Sequence, residues 1–316
     1  MAALIEAVGL QKAFGAIRAV NGISLSVNKG EVLGFLGPNG AGKSTTMKMI
    51  TGFLEPDAGT ARICGFDVQT SPKNAKSRLG YLPEGAPAYG DMTPAGFLTF
   101  IAEIRGYGGD DARTRVAAAV GRAGLQGVID QRIETLSKGF KRRVGIAQAI
   151  LHDPQVLIMD EPTDGLDPNQ KHHIRELIRE MAPHKAIIVS THILEEVEAV
   201  CTRAVVIDKG RIVADGTAEE LLRRAPAHGA VAIRVARAGA DALAAAIAAL
   251  PVVASVETTP DGAGAVRLRA LPGNGAAPLD AIAELLRRDR IAIDEIYVER
   301  GKLDDVFREI TTSPQA

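Results

Sequence analysis

The run Gly37-Pro-Asn-Gly-Ala-Gly-Lys-Ser44 constrains this chain more than any other stretch. It satisfies the G-x-x-x-x-G-K-[ST] pattern, follows the strand-like segment Glu31–Leu36 and opens the helix-compatible segment Lys43–Phe53. A strand, a glycine loop and a helix in that order turn backbone amides and a helix N-terminus toward one point, which suits a phosphate group. Lys43 has the reach for β- and γ-phosphates, and the Ser44 hydroxyl is a ligand for Mg²⁺. The plain alternative is a glycine turn; the Lys-Ser pair behind the glycines argues against it.

A second segment, Val156-Leu-Ile-Met-Asp160-Glu161-Pro162, reads as a buried strand that delivers two carboxylates at its C-terminal edge. Asp160 is placed to hold Mg²⁺ and Glu161 to activate a water as general base. By itself the segment reads better as a core strand ended by ordinary surface acids; beside a phosphate loop the chemical reading prevails. Between the two lies Leu136-Ser-Lys-Gly-Phe140, followed by Lys141-Arg142-Arg143. Serine at a helix start is a favoured N-cap, and such a terminus also attracts anions. Asp167, in Gly165-Leu-Asp-Pro168, and His192, after Ser190-Thr191, complete the order behind Glu161.

Strand-like runs at Ala61–Cys64, Val156–Asp160, Ala186–Ser190 and Ala204–Asp208 alternate with helical runs at Phe140–Leu151, Gln170–Met181 and Leu194–Val200. The alternation predicts an α/β domain with a largely parallel sheet. From about 93 to 151 the strand signal vanishes, which predicts an inserted helical subdomain. After Leu222 the composition shifts, Arg-Arg-Ala-Pro-Ala-His-Gly reads as a linker, and 226–316 is expected to be a small α+β domain. Its strands are expected at Val231–Arg237, Val266–Ala270 and Ile291–Glu299, and its helices at Asp241–Leu250, Leu279–Arg288 and Leu303–Ile310.

The 316 residues amount to about two domains at ~100–200 residues each. Lys plus Arg (37) nearly cancels Asp plus Glu (38), which argues against a basic nucleic-acid-binding surface. No apolar run reaches the ~18–20 residues of a bilayer span, and the N-terminus does not read as a secretory signal. Cys64 and Cys201 show no metal-ligand spacing and suit a reducing compartment. The run Lys141–Arg143 reads as a solvated helix face, and Met47 and Ile50 as core positions.

Taken in order, the phosphate loop at 37–45, Leu82-Pro-Glu84, Leu-Ser-Lys-Gly-Phe140, Asp160-Glu161, Gly165-Leu-Asp-Pro168 and His192 resemble the ATP-binding subunits of ABC transporters over about residues 4–220. Phe14, 23 residues before Gly37, matches the aromatic that the family stacks on adenine, although it also suits a core position. The resemblance implies a P-loop ABC-type nucleotide-binding domain over 1–225, with ATP and Mg²⁺ as cofactors. ATP contacts would come from Phe14, Gly37, Pro38, Asn39, Gly40, Ala41, Gly42, Lys43, Ser44 and Thr45. Ser137 and Gly139 would serve the nucleotide of a second copy in a head-to-tail dimer. Ser44, Asp160 and Glu84 would face the metal, Glu161 would act as base and His192 would position the γ-phosphate.

Two departures stand out. Glu84 replaces the usual Gln, and Lys138 and Phe140 replace the usual Gly and Gln. Gly80-Tyr-Leu-Pro-Glu-Gly-Ala-Pro-Ala-Tyr-Gly-Asp-Met-Thr93 is similar to the exporter-type subgroup, which includes drug-export and gliding-motility subunits. The expectation is therefore an ATPase at the cytoplasmic face of an inner membrane, peripheral, driving a separate polytopic permease, with no nucleic-acid partner. The alternative is a soluble ABC-type ATPase acting on nucleic acid or the ribosome; a single phosphate loop and no long heptad segment weigh against it.

Overall fold

The computed structural model describes residues 3–191, 193–223, 225, 227–262, 264–273, 277–300 and 306. The chain divides into two compact units, Met1–Thr217 and Ala218–Ala316. In chain order the first unit contains β1 (Ile5–Phe14), β2 (Ile17–Val27), β3 (Val32–Leu36), α1 (Lys43–Ile50), β4 (Ala58–Ile63), β5 (Phe66–Asp67) and α2 (Pro72–Lys76). These are followed by β6 (Leu79–Leu82), α3 (Pro94–Ile104), α4 (Gly109–Ala123), α5 (Lys138–Ile150), β7 (Val156–Asp160) and α6 (Pro168–Met181). The unit ends with β8 (Ala186–Thr191), α7 (Leu194–Val200), β9 (Arg203–Asp208) and β10 (Arg211–Gly216).

Every residue of β3, β7 and β8 is buried. Continuous apolar strands of this kind need cover on both faces, the condition of a parallel sheet. They form the centre of a six-stranded sheet in the order β10-β9-β3-β8-β7-β6, parallel except for the edge strand β10. Side chains alternate across it. Val156, Ile158, Ala186 and Ile188 enter one core with Met47, Met49 and Ile50 of α1 and with Ile5, Leu10 and Ile23 of the β1–β2 pair. Leu157, Met159, Ile187 and Val189 enter the opposite core with Leu98, Val144, Ile146, Ile174 and Leu177. Burying such side chains contributes about 1.5–3 kcal/mol each, so the sheet is the rigid floor on which its loops stand.

A second sheet, β2-β1-β4-β5, is antiparallel. Residues 93 to 151 hold α3, α4, two short 3₁₀ turns at Gln126–Val128 and Ile133–Thr135, and α5, with no strand among them. Three local differences from the sequence expectations have simple causes. Helix α1 ends at Ile50, not Phe53, because Gly52 turns left-handed (φ +66°) and the Phe53 and Leu54 amides fold back onto the Lys48 carbonyl. Helix α5 begins two residues before Phe140, because the Ser137 side chain caps it. The run Lys141–Arg143 is not a solvated face: Arg142 is buried, its guanidinium against the carbonyl of Asp160.

The second unit holds α8 (Ala218–Leu222), β11 (Val231–Ala236), α9 (Ala240–Ala248), β12 (Val253–Pro260), β13 (Ala265–Pro272), α10 (Leu279–Arg288) and β14 (Glu295–Val298). Its sheet order, β12-β13-β11-β14, is antiparallel throughout, a β-α-β-β-α-β arrangement. Val231, Ile233, Leu268, Leu243, Ile247 and Ile282 form its own core. The alternate residues Arg234 and Arg267 lie on the other face and pair with Asp261, Arg267 at 2.7 Å. The strand expected at Ile291–Glu299 is confined to Glu295–Val298, and of the helix expected at Leu303–Ile310 only Val306, helical and buried, is among the described residues.

Candidate nucleotide site

The C-terminal ends of β3, β8 and β7 lie side by side, which is where an open α/β sheet presents its loops to a ligand. Gly37–Gly42 leaves β3 and enters α1. Gly42 caps α1 at φ +105°, and a Cβ there would lie 2.4 Å from the Ala19 carbonyl, so only glycine fits. The Ala41 amide closes onto the Pro38 carbonyl at 3.1 Å, and the Ala41 carbonyl accepts from the Gly210 amide at 2.9 Å. Lys43 is 6 % exposed and donates to the Gly37 carbonyl at 2.6 Å and the Pro38 carbonyl at 3.1 Å. Burial lowers its pKa; the carboxylates of Glu161, Asp160 and Glu84 act in the opposite sense and mark how close three acids stand to it.

Strand β7 ends in Asp160, which is 1 % exposed. Register pairs it with Ser190, the penultimate residue of β8. The Ser190 hydroxyl donates to Oδ1 of Asp160 and accepts from the Glu161 amide at 3.0 Å. Oδ2 of Asp160 has no hydrogen-bond partner among the described residues. A buried carboxylate oxygen without a protein partner is costly unless a cation or a donor completes it. Mg²⁺ bound by one or two carboxylates, with phosphates and water as its other ligands, fits that oxygen, and the residues present therefore suit the ion.

A cavity of about 350 Å³ gathers Phe14, Asn39, Gly40, Gly42, Lys43, Ser44, Thr45, Glu84 and Glu161, together with Ala19. Phe14 is 51 % exposed, with Lys12 Nζ 5.9 Å from its ring centroid. It is therefore not a core residue. Gly37, Pro38 and Ala41 shape the loop without lining the cavity. Ser137 and Gly139 are not among its lining residues either. Ser137 caps α5 by accepting from the Phe140 amide at 3.3 Å, and Gly139 packs so closely that a Cβ would lie 2.5 Å from Oε1 of Gln170. His192 lies outside the described residues.

Three residues escaped sequence reasoning. Ser190 orients Asp160 but has no local signal; only the parallel register between β7 and β8 finds it. Arg142 reaches the Asp160 carbonyl at 3.3 Å from a charge run that resembles a surface. Asp164 receives Lys138 at 2.7 Å, so the lysine that departs from the family signature is tied to the turn after Glu161.

A parallel sheet with a glycine loop on buried lysine, a strand-end acid pair and a neighbouring aromatic defines a P-loop nucleotide-binding domain. The family model "ABC transporter" matches residues 20–164. The chain is 40 % identical over 219 residues to "Nod factor export ATP-binding protein I" of Burkholderia orbicola (strain AU 1054), covering 69 % of this chain and 72 % of the relative. It is 33 % identical over 313 residues to "Daunorubicin/doxorubicin resistance ATP-binding protein DrrA" of Streptomyces peucetius, covering 98 % and 93 %. A solved structure, "Structure of ATP binding subunit of ABC transporter", superposes with a TM-score of 0.65 at 32 % identity, over 70 % of this chain and 92 % of that one. The chain belongs to the ATP-binding subunits of ABC transporters, a family of ATPases, and these relatives give no support to the nucleic-acid or ribosome alternative.

Proposed function

We propose that this chain binds Mg·ATP between two copies of itself and spends the hydrolysis cycle on moving a separate membrane permease, in the direction of export. The observation that carries the reading is the single cavity that unites Phe14, the phosphate loop, Glu84 and Glu161 beside the buried Oδ2 of Asp160. Adenine stacks on Phe14, the loop amides of 39–45 hold the phosphates, and Lys43 leaves the Gly37 and Pro38 carbonyls to meet them. Ser44, Asp160 and Glu84 would hold the metal, which would supply neutralisation of phosphate charge. Glu161 takes the proton of the attacking water, and His192 is assigned to the γ-phosphate on its sequence position.

Ser137 and Gly139 lie outside this cavity although they form a helix start suited to phosphate. Their service to the nucleotide of a second copy, head to tail, gives both helix starts a ligand. The permease has a seat of its own. A cavity of about 580 Å³, lined mainly by Phe53, Tyr81, Tyr89, Phe97 and Ile101 with Lys76 and Arg105 also in its wall, includes Pro83, the chain neighbour of Glu84, and Phe53 is 76 % exposed. An apolar segment of the permease fits there, and its movement reaches the site through Pro83-Glu84. Among the described residues no helix is long and apolar enough to cross a membrane, and we place the chain peripherally at the cytoplasmic face. The export direction rests on the relatives' names.

Glu161→Gln tests the core of the reading. The variant is expected to bind ATP within about twofold of the parent while turnover falls by about 10²-fold or more, as for loss of a general base. Steady-state phosphate release and fluorescent-nucleotide binding measure the two. Near-normal turnover removes Glu161 as the base.

A further inference from the structure

Glu161 lies at φ +50°, in the left-handed region that a residue with a side chain occupies only where its surroundings hold it. Two groups grip the peptide that joins it to Asp160, one on each edge. The Glu161 N–H donates to the Ser190 hydroxyl at 3.0 Å and to the Ser190 carbonyl at 3.2 Å. The Asp160 carbonyl accepts from the Arg142 guanidinium at 3.3 Å, and Arg142 is 3 % exposed. A peptide is planar, so holding its N–H and its C=O fixes the plane and with it the direction in which Glu161 leaves the strand.

The second arm of the Arg142 fork lies 3.6 Å from the Asp164 carboxylate, which Lys138 also reaches at 2.7 Å. The Asp164 amide in turn donates to the Glu161 carbonyl at 3.2 Å. Arg142 thus touches the residue before Glu161 and the turn that closes after it. A rigid five-donor plane does this where a flexible ammonium would hold one partner at a time.

We infer that Arg142 is a positioning residue for hydrolysis, clamping the Asp160–Glu161 peptide so that the Glu161 carboxylate faces the nucleotide cavity. The inference rests on the reading of Glu161 as base. Because α5 carries Arg142 and begins at Ser137, the same side chain ties the aim of Glu161 to the helix start assigned to the second copy's nucleotide.

The test compares Arg142→Lys and Arg142→Met in the full chain, each alone and with Glu161→Gln. The methionine variant is expected to lose about 10–100-fold in kcat, the scale on which misplacing a catalytic group acts, with KM and fluorescent-ATP affinity within about twofold. Lysine keeps one donor for the Asp160 carbonyl and is expected to lose about 3–10-fold, a partial rescue of the methionine loss. On Glu161→Gln the methionine change is expected to remove nothing further, since a residue that acts through Glu161 has nothing left to aim. Wild-type kcat in the methionine variant, a raised KM, or a further tenfold loss on the Glu161→Gln background overturns the assignment. If the methionine variant does not fold, lysine decides alone: lowered kcat at constant KM supports the clamp, and wild-type kcat overturns it. Normal turnover in Glu161→Gln itself counts against the base, whereas full activity of Arg142→Met in an enzyme that needs Glu161 counts against Arg142 only.

Discussion

His152 is 7 % exposed, and its Nε2 lies 3.1 Å from the Leu79 carbonyl. A carbonyl only accepts, so Nε2 carries the proton, and Nδ1 has no partner among the described residues. Burial first and the Arg105 charge second push the imidazole pKa down to about 4, against the opposing pull of the Leu79 carbonyl and Asp153. An unfolded histidine titrates near 6.5, so between the two values the unfolded chain binds a proton that the folded chain refuses. Stability therefore falls as pH drops through that window and is unaffected by this group above it. At pH 5 the loss is about 2 kcal/mol. His152→Gln keeps a donor for the Leu79 carbonyl and cannot titrate. Urea unfolding at pH 7.5 and pH 5 is expected to show a pH dependence smaller than that of the parent by about that amount, and an unchanged dependence would show that His152 is not the group responsible. At this same scale the sequence is legible only where a residue's partners are local or its motif is shared. Gly42, Lys43 and Glu161 announce themselves; Arg142 does not, because its partner is a backbone carbonyl 18 residues away.

At the scale of elements, legibility follows burial. β7 and β8 are buried on both faces and read as unbroken apolar runs, so they stand in the structure at Val156–Asp160 and Ala186–Thr191, close to where the sequence puts them. β1 and β2 escaped because register shifts near Ala7–Leu10 and Lys12–Ala13 break their alternation. β6 is only four residues long, and β12 is mostly exposed, so neither carries a periodic signal. Helix α5 carries a separable prediction, since Ser137 both caps it and is assigned to the partner's phosphate. Ser137→Ala is expected to cost about 1 kcal/mol through the lost cap and to impair hydrolysis. Ser137→Asp keeps a good cap but sets a negative charge where phosphate would sit. Its stability should stay within about 0.5 kcal/mol of the parent while turnover collapses. Parallel denaturation and phosphate-release assays separate the two roles; an aspartate variant that turns over normally removes Ser137 from the nucleotide.

The whole molecule adds a question that neither residue nor element answers: which part of the chain the nucleotide site needs. Both cores that flank the six-stranded sheet are built from residues of the first unit alone, and the core around Val231, Leu268 and Ile282 from the second alone. The composition shift in the sequence suggests a division after 225, whereas the first compact unit ends at Thr217 and α8 falls in the second. One relative aligns over 219 residues, 72 % of its own length, and another over 313, so similarity along nearly the whole chain is shared with the second and not with the first. Two truncations, after 217 and after 225, follow from this. Neither removes a side chain from the first unit's cores, so both are expected to unfold cooperatively and to bind fluorescent ATP within about threefold of the full chain, a shift below 1 kcal/mol. Combined with Glu161→Gln and Mg·ATP, both should still form a dimer by light scattering, because every residue assigned to the sandwich, from Phe14 to His192, precedes the cut. Loss of ATP binding with loss of cooperative unfolding in the shorter chain alone would place α8 within the nucleotide unit. A chain that keeps ATP but stays single would move the dimer contacts to the second unit, and with them the explanation of why Ser137 and Gly139 stand outside the cavity of their own chain.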